Sequence, residues 1–203
     1  TRFAKNIRDA GEHMLGLVND LLDFRRMEEG HTSLDLVRMP LSQAIDEALV
    51  LVRAEIDERG HRLEVALAKD LPNVIVDRQA LVRVFTNLLS NAAKYTDDGG
   101  RIRIQAQADQ EMVTISIKDN GVGIAPEDQD RIFYYFEQAP NRLAGRSRGS
   151  GLGLALARQL VRKMSGEIGV ESQLGVGSTF WFTLPRAQAS GTATAGPVHG
   201  GKA

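Results

Sequence analysis

The residues able to do chemistry fall in three short clusters built on glycine or asparagine. In the first, Asp119-Asn120-Gly121-Val122-Gly123, a carboxylate stands immediately before a glycine-bearing turn. The run from Val113 to Asp119 alternates, which puts Val113, Ile115, Ile117 and Asp119 on one face of a strand. The first three are apolar, so that face is a buried one and the carboxylate is aimed at the edge of the interior. An ionised group there either finds donors or shifts its pKa. The glycines let the backbone turn sharply and let a ligand come close. A flat base bearing an N–H fits such a place. An ordinary Asp-Asn-Gly turn ending a strand has the same sequence, and taken alone it is the better reading.

The second cluster runs Asn87-Leu88-Leu89-Ser90-Asn91-Ala92-Ala93-Lys94-Tyr95. Asn87, Asn91 and Lys94 recur at i, i+4 and i+7 and share one helix face. Neutral amide oxygens suit Mg²⁺, which takes oxygen ligands and keeps several waters. A lysine one turn on suits phosphate oxygens. An amphipathic helix with a polar outer face has the same pattern, and on this stretch alone that simpler account is preferred. The third cluster, Gly149-Ser150-Gly151-Leu152-Gly153-Leu154, opens a helix whose first N–H groups face any anion placed there. Its spacing is neither a Walker A loop nor a dinucleotide fingerprint. The polar stretch before it, with Arg142, Arg146 and Arg148, reads as a mobile loop whose guanidinium groups either reach phosphates or stay solvated.

These clusters need elements to hold them. Residues 1–29 read as one long helix, with Phe3, Ile7, Ala10, Met14, Leu17, Leu21 and Phe24 in a heptad stripe and Leu15, Val18 and Leu22 beside it. Such a helix would be about 43 Å long. It needs partners in a bundle, either an upstream helix or a second subunit. His13 on it reads as an ordinary helix histidine. Residues 30–40 read as a connector. A helix is expected over 41–60, capped by Ser42, with Ile45, Leu49, Val52 and Ile56 inward. Strands are expected over 61–68 and 74–76, and Asp77 then caps a helix from 78 to 95. Two further strands, 101–108 and 111–119, form a hairpin. The segment 130–138 carries Phe133, Tyr134, Tyr135 and Phe136, taken as packing residues. A helix to about Met164, a strand over 167–171, a turn over 175–179 and a strand over 180–184 complete the domain. Residues 188–203 are rich in Ala, Gly, Ser and Thr and read as a tail or linker.

Bulk properties narrow the function classes. The 203 residues carry a formal net charge of −1, which gives no steering toward nucleic acid or an anionic membrane. There is no cysteine, so disulfides and thiolate metal sites are excluded. No apolar run approaches the length of a membrane span, and Thr1 opens directly into the helix pattern, as expected of a fragment.

Taken in order, the clusters resemble the catalytic ATP-binding domain of sensor histidine kinases, in the superfamily that includes gyrase, Hsp90 and MutL. Residues 87–96 are similar to the N box, 119–123 to the G1 box, 131–138 to the F box, 149–154 to the G2 box and 175–180 to the last glycine box. Residues 1–29, with Asn19-Asp20-Leu21-Leu22-Asp23, resemble the second helix of the dimerisation and phosphotransfer hairpin. The resemblance implies an α+β fold, a two-layer α/β sandwich with a mixed sheet backed by helices (Bergerat-type), over residues 41–187. It implies that Asp119 accepts from the adenine amine, that Gly121, Gly123 and Ile124 line the pocket, and that Thr179 stands near the base. Asn91 would ligate Mg²⁺ with Asn87 assisting. Lys94 and Tyr95 would contact phosphate or ribose. Arg146 and Arg148, and the run Gly149, Ser150, Gly151, Leu152, Gly153 and Leu154, would meet the phosphates, with 126–148 as the lid.

Two departures accompany it. No phosphoacceptor histidine motif is present, and Tyr134 and Tyr135 stand where related F boxes often have an acidic residue and a proline. The implied function is γ-phosphoryl transfer from ATP to a histidine outside this segment, for relay to a response regulator or receiver domain. Alternatives are a non-catalytic nucleotide-binding scaffold and a gyrase- or Hsp90-type ATPase. The latter is disfavoured because Asn87 is a poor base. Implied partners are a second copy, through residues 1–29 and an upstream helix, and no nucleic acid. The domain would lie in the cytoplasm, with membrane contact only through other segments.

Overall fold

The computed structural model describes residues 33–135, 137 and 151–187, together with the isolated positions 11, 14, 16, 18, 22 and 25. Those six are helical and exposed. The rest of the 1–29 helix, the 139–150 loop with Arg146, Arg148, Gly149 and Ser150, and the 188–203 tail lie outside the described residues.

The elements are β1 (Leu36–Met39), α1 (Leu41–Glu58), β2 (Arg62–Leu67), β3 (Val74–Asp77), α2 (Arg78–Tyr95), β4 (Arg101–Ala108) and β5 (Met112–Asp119). There follow a short helical turn α3 (Pro126–Gln129), a 3₁₀ turn (Arg131–Phe133), α4 (Gly153–Lys163), β6 (Ile168–Gln173) and β7 (Gly177–Pro185). The main sheet has the order β2-β4-β5-β7-β6. β2 pairs parallel with β4, and every other neighbour pair is antiparallel.

Alternation decides which side of the sheet is covered. Ile102, Ile104, Val113, Ile115, Ile117, Phe182 and Leu184 are buried completely, while Arg101, Arg103 and Gln105 between them are exposed. The buried face meets α1, through Ala44, Ile45, Ala48, Val52 and Ile56, and α2, through Leu81, Val84, Phe85, Leu88 and Leu89. Phe85 of α2 meets Phe182 of β7 edge-on, with ring centroids 5.4 Å apart. Asp77 caps α2, accepting from Ala80 N–H at 2.9 Å through one oxygen and from Asp35 N–H at 2.9 Å through the other.

Three sequence expectations need correction. The 30–40 connector contains β1, paired with β3 from Leu36↔Asp77 to Met39↔Val74, because Val74 and Val76 are buried and their edge takes up a partner. Helix α1 starts from Pro40, whose φ of −71° and ψ of 138° set the extended entry, and Ser42 lies inside the first turn without capping it. The last glycine turn ends sooner than 175–179, because β7 pairs with β6 from Gly177 onward.

Candidate functional site

Strand β5 delivers Asp119 to the end of the buried sheet face, where only 6% of the residue is exposed. Its Oδ1 accepts from Gly121 N–H at 2.9 Å and from Ser178 N–H at 3.3 Å. Burial pushes its carboxyl above the ordinary aspartate range, and the two N–H groups pull partly back. Both donors use one oxygen, so Oδ2 keeps its lone pairs for another donor.

The glycines after it are demanded by close approach. A Cβ at Gly121 would meet the Tyr95 carbonyl and come within 2.9 Å of Asp119 Oδ1. Gly123 has φ of +69°, and a Cβ there would run into the Gln173 carbonyl. The turn is clamped on both sides: Val122 N–H donates to Tyr95 O at 3.1 Å, and Gly175 N–H donates to Val122 O at 2.7 Å. Ile124 follows, half-buried, with its N–H on Ser172 Oγ at 2.8 Å. Tyr95 closes α2, so the asparagine-bearing helix and the aspartate turn share a wall.

On α2, Asn87 and Asn91 are half-buried. Asn87 Nδ2 donates to Gly153 O at 3.0 Å, which ties this helix to the first residue of α4. A Cβ on Gly153 would sit 3.4 Å from Asn87 Oδ1, an ordinary van der Waals contact, so the two residues are close neighbours. Asn91 makes no side-chain hydrogen bond to another described residue. Lys94 is held below its ordinary pKa chiefly by burial, with Glu55 opposing and Arg59 adding to the effect. Its ammonium lies 5.3 Å from the centroid of the Tyr95 ring. Burial raises the Tyr95 phenol. These amides fit a magnesium ion of the kind carried in by a polyphosphate: one or two protein oxygens, the remaining ligands from phosphate and water. Among the described residues no group of three or more His, Cys, Asp or Glu forms a metal cluster.

Of the glycine cluster, Gly151 (φ +70°), the buried Leu152, Gly153 and the core-packed Leu154 are described. They bring the α4 N-terminus beside Asn87. Gly149, Ser150, Arg146 and Arg148 lie outside the described residues. Phe133 is buried with its ring 6.4 Å from Phe180, and Arg158 of α4 lies 5.9 Å from both the Phe133 and Tyr134 rings. Tyr134 is exposed, contrary to a packing role.

Thr179 is not next to Asp119. It alternates onto the other sheet face, paired with Lys118 and Glu171. Ser178 takes the place expected of it, buried at 6% and bonded to the carboxylate through its N–H. Counting back by two from Phe182 and Phe180 would have found it, because those buried rings set the phase of β7. Gln129 and Ser172, which bind the turn from behind, carry no sequence signal of their own.

Comparison with known proteins agrees with this geometry. The family model described as histidine kinase-, DNA gyrase B-, and HSP90-like ATPase matches residues 76–188. The chain is 36% identical over 183 residues to the signal transduction histidine-protein kinase BarA of Escherichia coli K12, covering 88% of this chain and 20% of BarA. It is 37% identical over 183 residues to the histidine protein kinase DivJ of Caulobacter vibrioides, covering 90% of this chain and 30% of DivJ. The crystal structure of full-length ShkA in complex with AMPPNP superposes with a TM-score of 0.80 at 32% identity, covering 93% of this chain and 39% of that one. The chain thus spans less than a third of the length of these curated relatives.

Proposed function

Since the chain belongs to the histidine kinase-, DNA gyrase B- and HSP90-like ATPase family, we propose that it is the ATP-binding catalytic domain of a two-component sensor histidine kinase. It transfers the γ-phosphoryl group of ATP to a histidine outside this segment, for relay to a response-regulator or receiver-domain aspartate. The observation that carries the nucleotide reading is Asp119: a buried carboxylate whose Oδ1 is held by two backbone N–H groups, beside glycines that admit no side chain. Oδ2 takes the adenine amine, and Gly121, Gly123 and Ile124 form the floor. Lys94 and the α4 N-terminus at Gly151 and Gly153 take phosphate charge, with Arg146 and Arg148 from the lid. Asn91 would hold Mg²⁺ with Asn87 assisting, and the ion would supply neutralisation of phosphate charge. Positioning and charge neutralisation then supply most of the rate.

Hydrolysis of the gyrase or Hsp90 kind is disfavoured by Asn87, a neutral amide already committed to Gly153 O. The exposure of Met14, Val18 and Leu22, one turn apart, supports a homodimer through residues 1–29 and a further helix. As the domain of such a kinase it would lie in the cytoplasm. Among the described residues no helix is long and apolar enough to cross a membrane. The test is to add labelled ATP·Mg and a histidine-bearing hairpin partner. Acid-labile phosphohistidine is expected. Steady phosphate release without an acceptor would favour an ATPase, and binding without either product a scaffold.

A further inference from the structure

The core-facing side of the sheet changes character at one step. Ile117, Phe180 and Val170 stand in register across β5, β7 and β6 and form an apolar row. The next row is Asp119, Ser178 and Ser172. Ser172 lies directly opposite Ser178, and Ser178 N–H reaches Asp119 Oδ1 at 3.3 Å. A polar row at the lip of a buried sheet face needs every proton placed.

Counting protons gives the row a direction. Ser172 Oγ has one proton and two lone pairs. It accepts from Ile124 N–H at 2.8 Å, lies 3.0 Å from Gly177 O, and lies 2.9 Å from Ser178 Oγ. A carbonyl only accepts, so the Ser172 proton goes to Gly177. The bond between the two hydroxyls is then donated by Ser178. Its single proton is committed sideways, and its oxygen has only lone pairs left to offer. Gln129 fixes the arrangement from below, donating through Nε2 to Ser172 O at 2.8 Å and to Ile124 O at 3.2 Å.

We propose that Ser172 is a positioning residue that sets nucleobase specificity: by holding the Ser178 proton it keeps the pocket edge beside Asp119 acceptor-only. The inference rests on the nucleotide-binding reading above. Such an edge takes a purine with an exocyclic amine and rejects one with a carbonyl at that position. Adenine donates there through N6, whereas guanine accepts through O6. A guanine carbonyl would face lone pairs and lose its water without replacement. Without the Ser172 hydroxyl, the Ser178 proton is free to turn toward the pocket and donate to that carbonyl.

The test is calorimetric titration of ADP·Mg and GDP·Mg into this chain and its variants Ser172→Ala and Ser172→Thr, each checked by thermal melting. The unsubstituted chain prefers ADP. Ser172→Ala should narrow the ADP-to-GDP preference roughly tenfold, the worth of about one hydrogen bond, and Ser172→Thr should restore it. Equal weakening of both nucleotides by Ser172→Ala, or an unchanged ratio, would show a merely structural serine and overturn the proposal. So would a ratio narrowed as much by Thr as by Ala. If the alanine variant does not melt cooperatively, Ser172→Cys, a weak acceptor of similar size, is judged by the same ratio. Failure of the underlying reading looks different: the unsubstituted chain would bind neither nucleotide, which overturns both.

Discussion

Asp119→Asn separates stability from binding, because the two respond in opposite directions. The asparagine Oδ1 can accept from Gly121 and Ser178 as the carboxylate does, so the turn keeps its anchors. What changes is charge and the second atom, an acceptor oxygen that becomes an N–H donor. Burial holds the folded-state pKa of Asp119 above its unfolded value. The native chain therefore binds this proton more tightly than the unfolded chain does. Between the two pKa values the contribution of this group to stability falls as pH rises, and at neutral pH the buried carboxylate costs the fold free energy. Removing the charge lifts that cost, so at pH 7 the variant should melt at or above the temperature of the parent. Binding goes the other way. A hydrogen bond to a charged acceptor is worth about 1.5–3 kcal/mol, and two donors facing each other add a desolvation cost of about 1–3 kcal/mol. ATP·Mg affinity should thus fall by a factor of roughly 10² or more. Titration calorimetry on both proteins, with a thermal melt of each, measures the pair of effects. An unchanged Kd would refute the placement of adenine against Asp119. A lost Kd with a collapsed melt would refute the claim that the turn is anchored through one oxygen alone.

Asn91→Ala should abolish the Mg²⁺ dependence of ATP binding while shifting stability by less than about 0.5 kcal/mol, since the amide bonds no other described side chain; titration with and without the metal checks it. Gly177→Ala should destabilise by about 2 kcal/mol or more, because φ is +131° and the added methyl meets the Asp119 carbonyl; a urea melt reads this. Phe182→Ala should cost about 3–5 kcal/mol, as the ring is fully buried against Phe85, with the midpoint of a urea melt moving and nucleotide affinity retained wherever the chain stays folded.

The amino-acid order determined the strands and helices that carry the site. Alternation in 113–119 placed Asp119 on the buried face, and the spacing of Asn87, Asn91 and Lys94 put them on one side of α2, because a local period is set by backbone geometry alone. The spacing of the clusters and their glycines carried the family resemblance. Register was another matter. Thr179 and Ser178 are adjacent and chemically similar; alternation back from Phe182 and Phe180 puts Ser178 on the buried face, and the pairing of β7 with β5 and β6 brings it to Asp119. Strand β1 was not legible because its partner β3 lies 35 to 41 positions away along the chain, from Met39↔Val74 to Leu36↔Asp77, and pairing at that separation leaves no local signal. The contact of Asn87 with Gly153 spans a sequence separation of 66. The bridge from Ser178 through Ser172 to Ile124 joins two strands and a turn. The sequence by itself supplied the carboxylate, the amides and the glycines; tertiary structure chose their neighbours, because hydrogen-bond partners are selected by distance in space, and long-range pairing is what sets that distance.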